Sequence, residues 1–157
     1  MSDNYVTYDD YDCAILQQMQ RNAAQPLEEL PEAVNLPRNA VWRRLKRLQD
    51  SDLLKARVAL LDAQKIELGL TVFVSISVRN LSKDWADQFT KGIRSLPHVQ
   101  SAYRTSGNQD YLIKARIRDV QAYDGLYQRL ISRIELADVS ASFVMEELKD
   151  TTELPLP

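Results

Sequence analysis

Apolar and polar positions in the first fifty residues repeat with the spacing of α-helices. Residues 8–19 place apolar side chains three and four positions apart, which predicts a first helix. A shorter stripe over residues 27–34 predicts a second helix that begins near Leu27 or Glu28, and residues 37–50 predict a third. Only two or three residues join the second and third helices. Such a short connection is typical of a helix-turn-helix pair.

Individual residues mark the ends of these helices. Three carboxylates near the start of the first helix favour the positive end of its dipole: Asp9, Asp10 and Asp12. Asn35 tolerates the left-handed backbone conformation, so it predicts the end of the second helix. Pro37 fits the first position of the third helix, because its φ angle is already helical.

The pattern after residue 52 changes from helical spacing to alternation, which is typical of strands. Residues 54–61 alternate well enough to predict a linking strand, and residues 62–68 predict a connector. The remaining elements predicted are a strand at 71–78, a helix at 83–95, strands at 99–105 and 110–117, a helix marked by Tyr123, Leu126, Leu130 and Ile134, and a strand at 140–148. The order β-α-β-β-α-β predicts a ferredoxin-like antiparallel sheet of four strands with both helices on one face.

These two patterns divide the chain into two domains of an α+β protein. Residues 1–61 form the predicted helix-turn-helix domain with its linking strand, and residues 62–157 form the predicted sheet domain. The final seven residues, TTELPLP, are expected to be frayed or loosely docked.

The charge of the chain is nearly balanced overall but uneven along its length. A net charge of −2, from 20 basic and 22 acidic residues, does not by itself predict a polyanionic partner. Between residues 38 and 57, however, seven Lys and Arg side chains face only Asp50 and Asp52. This local excess makes the third helix the strongest functional candidate.

Several kinds of chemistry are disfavoured by composition. The single cysteine, Cys13, excludes an intrachain disulfide and a Cys-rich zinc site, and one histidine makes most His-dependent catalysis improbable. No cofactor is expected. No apolar run approaches the roughly 18–20 residues of a membrane-spanning helix, and the acidic start of the chain lacks the apolar core of a signal peptide. We therefore expect a cytoplasmic protein without a membrane partner.

The third helix carries the residue types that a DNA-recognition helix needs. Arg can bind guanine with two hydrogen bonds, Asn can do so with adenine, and nearby cations can hold phosphates. The candidate DNA-binding residues are Arg38, Asn39, Trp42, Arg43, Arg44, Lys46 and Arg47. The alternative is a solvated amphipathic helix, against which the short connection to the second helix argues. Trp42 can equally pack against the first helix.

The loop before the third strand of the sheet is a second candidate site. Gly107 can expose backbone donors to a carboxylate, and Asp110 can bind an ammonium group; Asn108 lies between them. A carboxylate with free backbone donors is a minimal site for a free amino acid. The alternative is a hairpin turn without a ligand, because Gly-Asn is a common turn sequence.

Four segments together resemble the Lrp/AsnC (leucine-responsive, feast/famine) transcriptional regulators. YDDYDCAIL is similar to the opening D-x-x-I-L helix of that family, and LPRNAVWRRLKRLQDSDLLK to its recognition-helix stretch. SGNQDYLIKARI is similar to the G-[DN]-x-D-Y-L-L-K signature of its effector domain, known as the RAM domain, and FVMEELK to the final strand. The resemblance extends from about Tyr8 to Leu154.

The resemblance implies a winged helix-turn-helix domain followed by a RAM domain for effector binding and oligomerisation. It implies a regulator of amino-acid metabolism that binds double-stranded DNA and takes an amino acid between RAM domains. It also implies a homodimer assembling to an octamer, and a two-fold dimer predicts a palindromic operator. The strand at 71–78 is the candidate for the central dimer contact.

Three features of the chain depart from the family pattern. Pro37 stands where the family usually has a Ser N-cap, and Asp52 stands where it has Gly after the recognition helix. Asn108 and Gln109 replace a more frequent acidic and aromatic pair. The loss of one negative charge predicts weaker or altered effector selectivity.

Two other classes of protein stay open. Some decarboxylases of haem-type precursors are similar in fold, although such an activity calls for several His and Arg side chains in the RAM pocket, and His98 is the single histidine. The other class is an effector-sensing module that has lost DNA binding, against which the basic third helix argues. A gel shift with DNA from upstream of the protein's own gene discriminates all three.

Overall fold

The structure, a computed structural model, describes residues 6–79, 82–132 and 136–157 in two compact units. The first is a helical unit built from two segments of the chain, the residues up to 60 and residues 149–157. The second is a sheet unit of residues 61–148. The C-terminal residues therefore pack with the helices, whereas the predicted division places them with the sheet.

Three helices form the first unit: α1 (Asp10–Arg21), α2 (Leu30–Ala33) and α3 (Arg38–Asp50). A reciprocal pair of hydrogen bonds starts α1, since Asp9 accepts from the Asp12 N–H at 3.0 Å and Asp12 accepts from the Asp9 N–H at 3.1 Å. The second helix is shorter than the predicted 27–34, because residues 27–29 form a turn and Pro31, which lacks an N–H, lies in the first helical turn.

Two left-handed residues flank α3. Asn35, between α2 and α3, has a φ of +51°, which confirms its predicted role in ending the second helix. Asp52, which follows the C-cap Ser51 of α3, has a φ of +57°. Pro37 is the N-cap of α3 rather than its first helical residue, and it provides no side-chain cap.

Apolar faces of the three helices meet in one core, to which the end of the chain contributes. The buried residues are Ile15, Leu16, Met19, Leu30, Val34, Val41, Leu45 and Leu48. Leu156 packs against this core. The side-chain amide of Gln20 accepts from the Leu154 N–H at 2.6 Å and donates to the Leu154 carbonyl at 3.1 Å, and Arg21 lies 3.6 Å from Glu153. The final residues, expected to be frayed or loosely docked, are thus docked on α1.

The strand predicted over residues 54–61 is absent. Residues 55–62 have no regular secondary structure, and Val58, Leu60 and Leu61 are 72–73% exposed. Alternation alone does not make a strand, since a strand needs a neighbour for its backbone hydrogen bonds. None of the described residues pairs with this segment.

The second unit contains β1 (Leu70–Ser77), α4 (Lys83–Arg94), β2 (Val99–Arg104), β3 (Tyr111–Ile117), α5 (Val120–Ile131) and β4 (Asp138–Phe143). The strands form an antiparallel sheet in the order β2-β3-β1-β4, which confirms the predicted β-α-β-β-α-β arrangement and the α+β class. Ile134, predicted to mark the last helix, lies outside the described residues. The final strand ends at Phe143 rather than 148. Val72 pairs with Phe143 and only two residues of β1 lie beyond Val72, so β1 has no partners for residues 146–148.

The two faces of the sheet differ. Val72, Val74 and Ile76 of β1 are fully buried in a core that includes side chains from both α4 and α5, so both helices lie on one face as predicted. The opposite face carries Phe73 and Leu112, which are half-buried in the single chain. In the described ranges, no helix has the length and apolar character needed to cross a membrane.

Candidate DNA-binding and effector-binding sites

The inner face of α3 is fixed by the helical core, which leaves the opposite face in solvent. Val41, Leu45 and Leu48 are buried on the inner side. Arg43 and Lys46 are exposed, and neither makes an ion pair with any residue that the structure describes. These two cations are therefore available to an external anion.

The start of α3 adds polar groups to this outer face. Asn39 is exposed, and Arg38 lies 3.4 Å from Glu28, with both side chains more than 60% exposed. So exposed an ion pair holds Arg38 only weakly. Trp42 is 42% exposed and is not among the residues of the described helical core.

The remaining two candidates on α3 bind acids at the N-terminal end of α1: its N-cap Asp9 and Asp12. Arg44 Nη1 lies 2.8 Å from both carboxylate oxygens of Asp9 and 2.9 Å from Asp12 Oδ1, and its guanidinium lies 5.4 Å from the centre of the Tyr11 ring. Arg47 Nη2 donates to Asp12 Oδ2. The Arg44 side chain is only 23% exposed and that of Arg47 is 52% exposed.

Hydrogen bonds in this cluster favour the ionised forms of Arg44 and Asp9. Hydrogen bonds to Asp12 and then to Asp9 raise the pKa of Arg44. The backbone N–H of Asp12 and the side chain of Arg44 lower the pKa of Asp9. Sequence reasoning assigned these acids to the helix dipole alone, and it missed the partners because they lie 32 to 35 residues away along the chain.

The structure thus divides the seven DNA-binding candidates into two sets. The outer set, on the exposed face of α3, consists of Arg38, Asn39, Trp42, Arg43 and Lys46. The paired set, bound to the acids of α1, consists of Arg44 and Arg47.

The candidate effector loop connects β2 to β3, and its residues differ in role. Gly107 has a φ of +152°, which L side chains rarely adopt, and nothing lies within 4 Å of where a Cβ would be. Asn108 is exposed. Asp110 instead joins strand ends: its Oδ2 accepts from the Val78 N–H at 2.8 Å, and its own N–H donates to the Ile76 carbonyl at 2.9 Å. Asp110 therefore anchors the loop to the end of β1.

Two family models match the two units. Residues 9–49 match the AsnC-type helix-turn-helix domain, and residues 71–154 match the Lrp/AsnC ligand binding domain. The fold and the sites define a class: regulators that join a helix-turn-helix to a ligand-binding domain. The chain belongs to the Lrp/AsnC family of transcriptional regulators, which confirms the resemblance found in the sequence.

Similar proteins cover nearly the whole chain. The glutamate uptake regulatory protein of Zymomonas mobilis is 47% identical over 149 residues, covering 95% of this chain and 91% of that protein. The DNA-binding transcriptional activator DecR of Escherichia coli is 41% identical over 149 residues, covering 94% and 98%.

Solved structures agree with this family over the same length. An AsnC family transcriptional regulator from Agrobacterium tumefaciens has a TM-score of 0.91 and 38% identity, covering 94% of this chain and 97% of the other. A transcriptional regulator from Neisseria meningitidis, solved as a complex with L-Met, has a TM-score of 0.90 and 36% identity, covering 95% and 97%.

Proposed function

We propose that the protein is a sequence-specific regulator that places the outer face of α3 in the major groove of an operator. The observation that carries this proposal is a solvent-facing helix surface on which Arg43 and Lys46 have no ion partner among the described residues, beside an exposed Asn39. A surface of this kind offers both base-reading and phosphate-binding groups. Acting on DNA, the protein works in the cytoplasm.

The outer and paired sets have different roles in this proposal. Asn39 and Arg43 read base edges, and Trp42 makes apolar contact beside them. Arg38 and Lys46 hold phosphates. Arg44, held by Asp9 and Asp12 and little exposed, orients α3 against α1 rather than touching DNA.

Fluorescence anisotropy with two duplexes tests DNA recognition. One duplex comes from upstream of the protein's own gene, and the control is a shuffled duplex of the same length and composition. We expect the first to bind at least about 1,000-fold more tightly at physiological salt, as specific sites do. Equal affinity for both would contradict sequence-specific regulation.

We further propose that a free amino acid is the effector and that the protein regulates amino-acid metabolism. One relative is named for glutamate uptake, and one similar structure holds L-Met, so L-Glu and L-Met are the first ligands to test. The open space at Gly107 admits a carboxylate to backbone donors. Asp110 Oδ2 is bound to Val78, so Oδ1 is the oxygen that meets the ammonium group.

Calorimetry against the twenty amino acids tests the effector. We expect binding below millimolar concentration by at least one of them, with a reciprocal change in DNA affinity. If none binds in that range, the loop is only a turn, and DNA regulation proceeds without this signal.

Assembly is proposed to begin with a homodimer through the open face of the sheet and to continue to an octamer. Phe73 and Leu112 on that face are half-buried in the single chain, and the linker exposes Val58 and Leu60, so a second copy would cover apolar surface. A two-fold dimer requires a palindromic operator with half-sites one helical turn, or a multiple of it, apart. A monomer in light scattering at micromolar concentration would refute this assembly.

The regulator is preferred to an enzyme of the same fold. The curated relatives with full-length similarity are named as regulators, and the exposed cations of α3 have a use in DNA binding but none in a decarboxylase pocket.

A further inference from the structure

Asp12 is a fully buried carboxylate at the junction of α1 and α3. Its side chain is 1% exposed, and both oxygens accept hydrogen bonds. Oδ1 accepts from Arg44 at 2.9 Å, and Oδ2 accepts from Arg47 and from the Asp9 N–H. A buried charge of this kind is tolerated only where its acceptors are satisfied, so the position of the carboxylate is fixed.

The two arginines on Asp12 are held differently. Arg44 also binds both oxygens of Asp9 and is largely covered. The Arg47 side chain is half exposed, and a single guanidinium nitrogen, Nη2, donates to Asp12 Oδ2. A guanidinium carries five N–H donors, so most of those of Arg47 remain for another acceptor.

We propose that Asp12 is a positioning residue for DNA binding: it holds the Arg47 guanidinium so that the remaining donors meet a phosphate oxygen. This inference rests on the proposed DNA-binding function. Holding a long side chain in its bound geometry beforehand removes much of the entropy cost of ordering it on the duplex. Asp12 itself, being buried, does not touch DNA.

Long-range electrostatics and positioning by Asp12 predict opposite changes in DNA affinity when Asp12 is neutralised, which makes the proposal testable. Asp12→Asn removes a negative charge close to a DNA-binding helix, so long-range electrostatics alone predicts tighter binding. Positioning predicts weaker binding, because the amide cannot hold Arg47 as an ionised carboxylate does. Asp10, an exposed acid on the same helix, supplies the matched control Asp10→Asn.

A double-mutant cycle in the full chain tests whether Asp12 acts through Arg47. Affinity for the upstream duplex is measured over a range of salt for D12N, R47A, the double variant and D10N. We expect about a tenfold loss for R47A and for D12N, each with a salt slope smaller by about one. The double variant should resemble R47A alone, and D10N should keep the wild-type slope.

Folding is checked separately, because Asp12 is buried. Circular dichroism of each variant identifies an unfolded helical unit. If D12N does not fold, R47K carries the test: it keeps the charge but loses the planar fork, so positioning predicts a loss close to that of R47A. Unchanged affinity of R47K would then overturn the proposal.

The remaining outcomes separate this proposal from the function on which it rests. Tighter DNA binding by D12N, or additive losses in the double variant, would show that Asp12 does not act through Arg47. Wild-type affinity in R47A would also overturn the proposal while leaving DNA regulation intact. Failure of the wild-type protein to discriminate the upstream duplex would instead refute the regulatory function itself.

Discussion

At the scale of single residues, Asp52 adopts a left-handed conformation that glycine adopts without steric cost. Its φ is +57°, directly after α3, at a position where the family pattern has Gly. We expect Asp52→Gly to raise the free energy of unfolding of the helical unit by about 0.5–1 kcal/mol, because it removes the Cβ clash of this conformation. Urea denaturation measures the change.

The matched control is Asp50→Gly, at the exposed end of the helix itself. At Asp50, glycine costs backbone entropy without relieving strain, so we expect the free energy of unfolding to fall by about 0.5–1 kcal/mol. Equal effects of the two substitutions would contradict the assignment of strain to Asp52.

Asp110 gives a second residue-scale prediction. Asp110→Ala leaves the Val78 N–H without its side-chain acceptor, so we expect the sheet unit to lose about 1–3 kcal/mol of stability. Asp110→Asn keeps an oxygen acceptor and should lose less. Thermal unfolding measures both variants, and an Ala variant as stable as the Asn variant would show that the hydrogen bond has no structural weight.

At the scale of elements, α3 offers two exposed cations with different expected roles. We expect Arg43→Ala to weaken operator binding by about 1–3 kcal/mol and to relax the preference at one base pair. Lys46→Ala should weaken all duplexes alike and reduce the salt slope by about one. Neither side chain makes an ion pair within the described part of the chain, so both variants should fold normally.

The comparison of operator and shuffled duplexes separates these two roles. If Arg43→Ala lowers affinity for both duplexes by the same factor, Arg43 binds phosphate and does not read a base. If Lys46→Ala alters base preference, the two assignments are reversed.

Helices with a regular apolar spacing were predicted well from the sequence. Strand boundaries, which depend on pairing with a neighbouring strand, were not. Val41, Leu45 and Leu48 identified the buried face of α3, because helical spacing is a local property. Residues 54–61 alternate equally clearly but form no strand, since none of the described residues pairs with them. The end of β4 likewise depends on where β1 begins, which no property of residues 140–148 reveals.

At the scale of the whole molecule, contacts between distant parts of the chain were beyond sequence reasoning. The candidate sites were found by residue type and spacing, yet the pairing of Arg47 with Asp12 spans 35 residues and that of Leu154 with Gln20 spans 134. Neither pair shares a local pattern. Asp110 was predicted from its residue type to bind an ammonium group. Its contact with the Val78 N–H was missed because Val78 lies 32 residues away along the chain.

The docked C-terminal segment predicts that the helical unit depends on the far end of the chain. Removing residues 151–157 deletes both Leu154 hydrogen bonds to Gln20, the Glu153 ion pair and the Leu156 packing. We expect the free energy of unfolding of this unit to fall by about 1–2 kcal/mol. For a unit of this size, that change lowers the melting temperature by roughly 4–16 °C. Amide hydrogen exchange in α1 should become faster, while exchange in the sheet unit stays unchanged.

Point variants test the same contacts without shortening the chain. Gln20→Ala and Leu156→Ala should each reproduce part of the faster exchange in α1. Their controls are Gln17→Ala, at an exposed position on the same helix, and Leu148→Ala, at a side chain that is 86% exposed. The controls remove a glutamine and a leucine side chain from solvent-facing positions, so they should leave the amides of α1 protected from exchange. If the amides of α1 exchange at the same rate in the truncated chain as in the controls, the C-terminal segment lies on α1 without stabilising it.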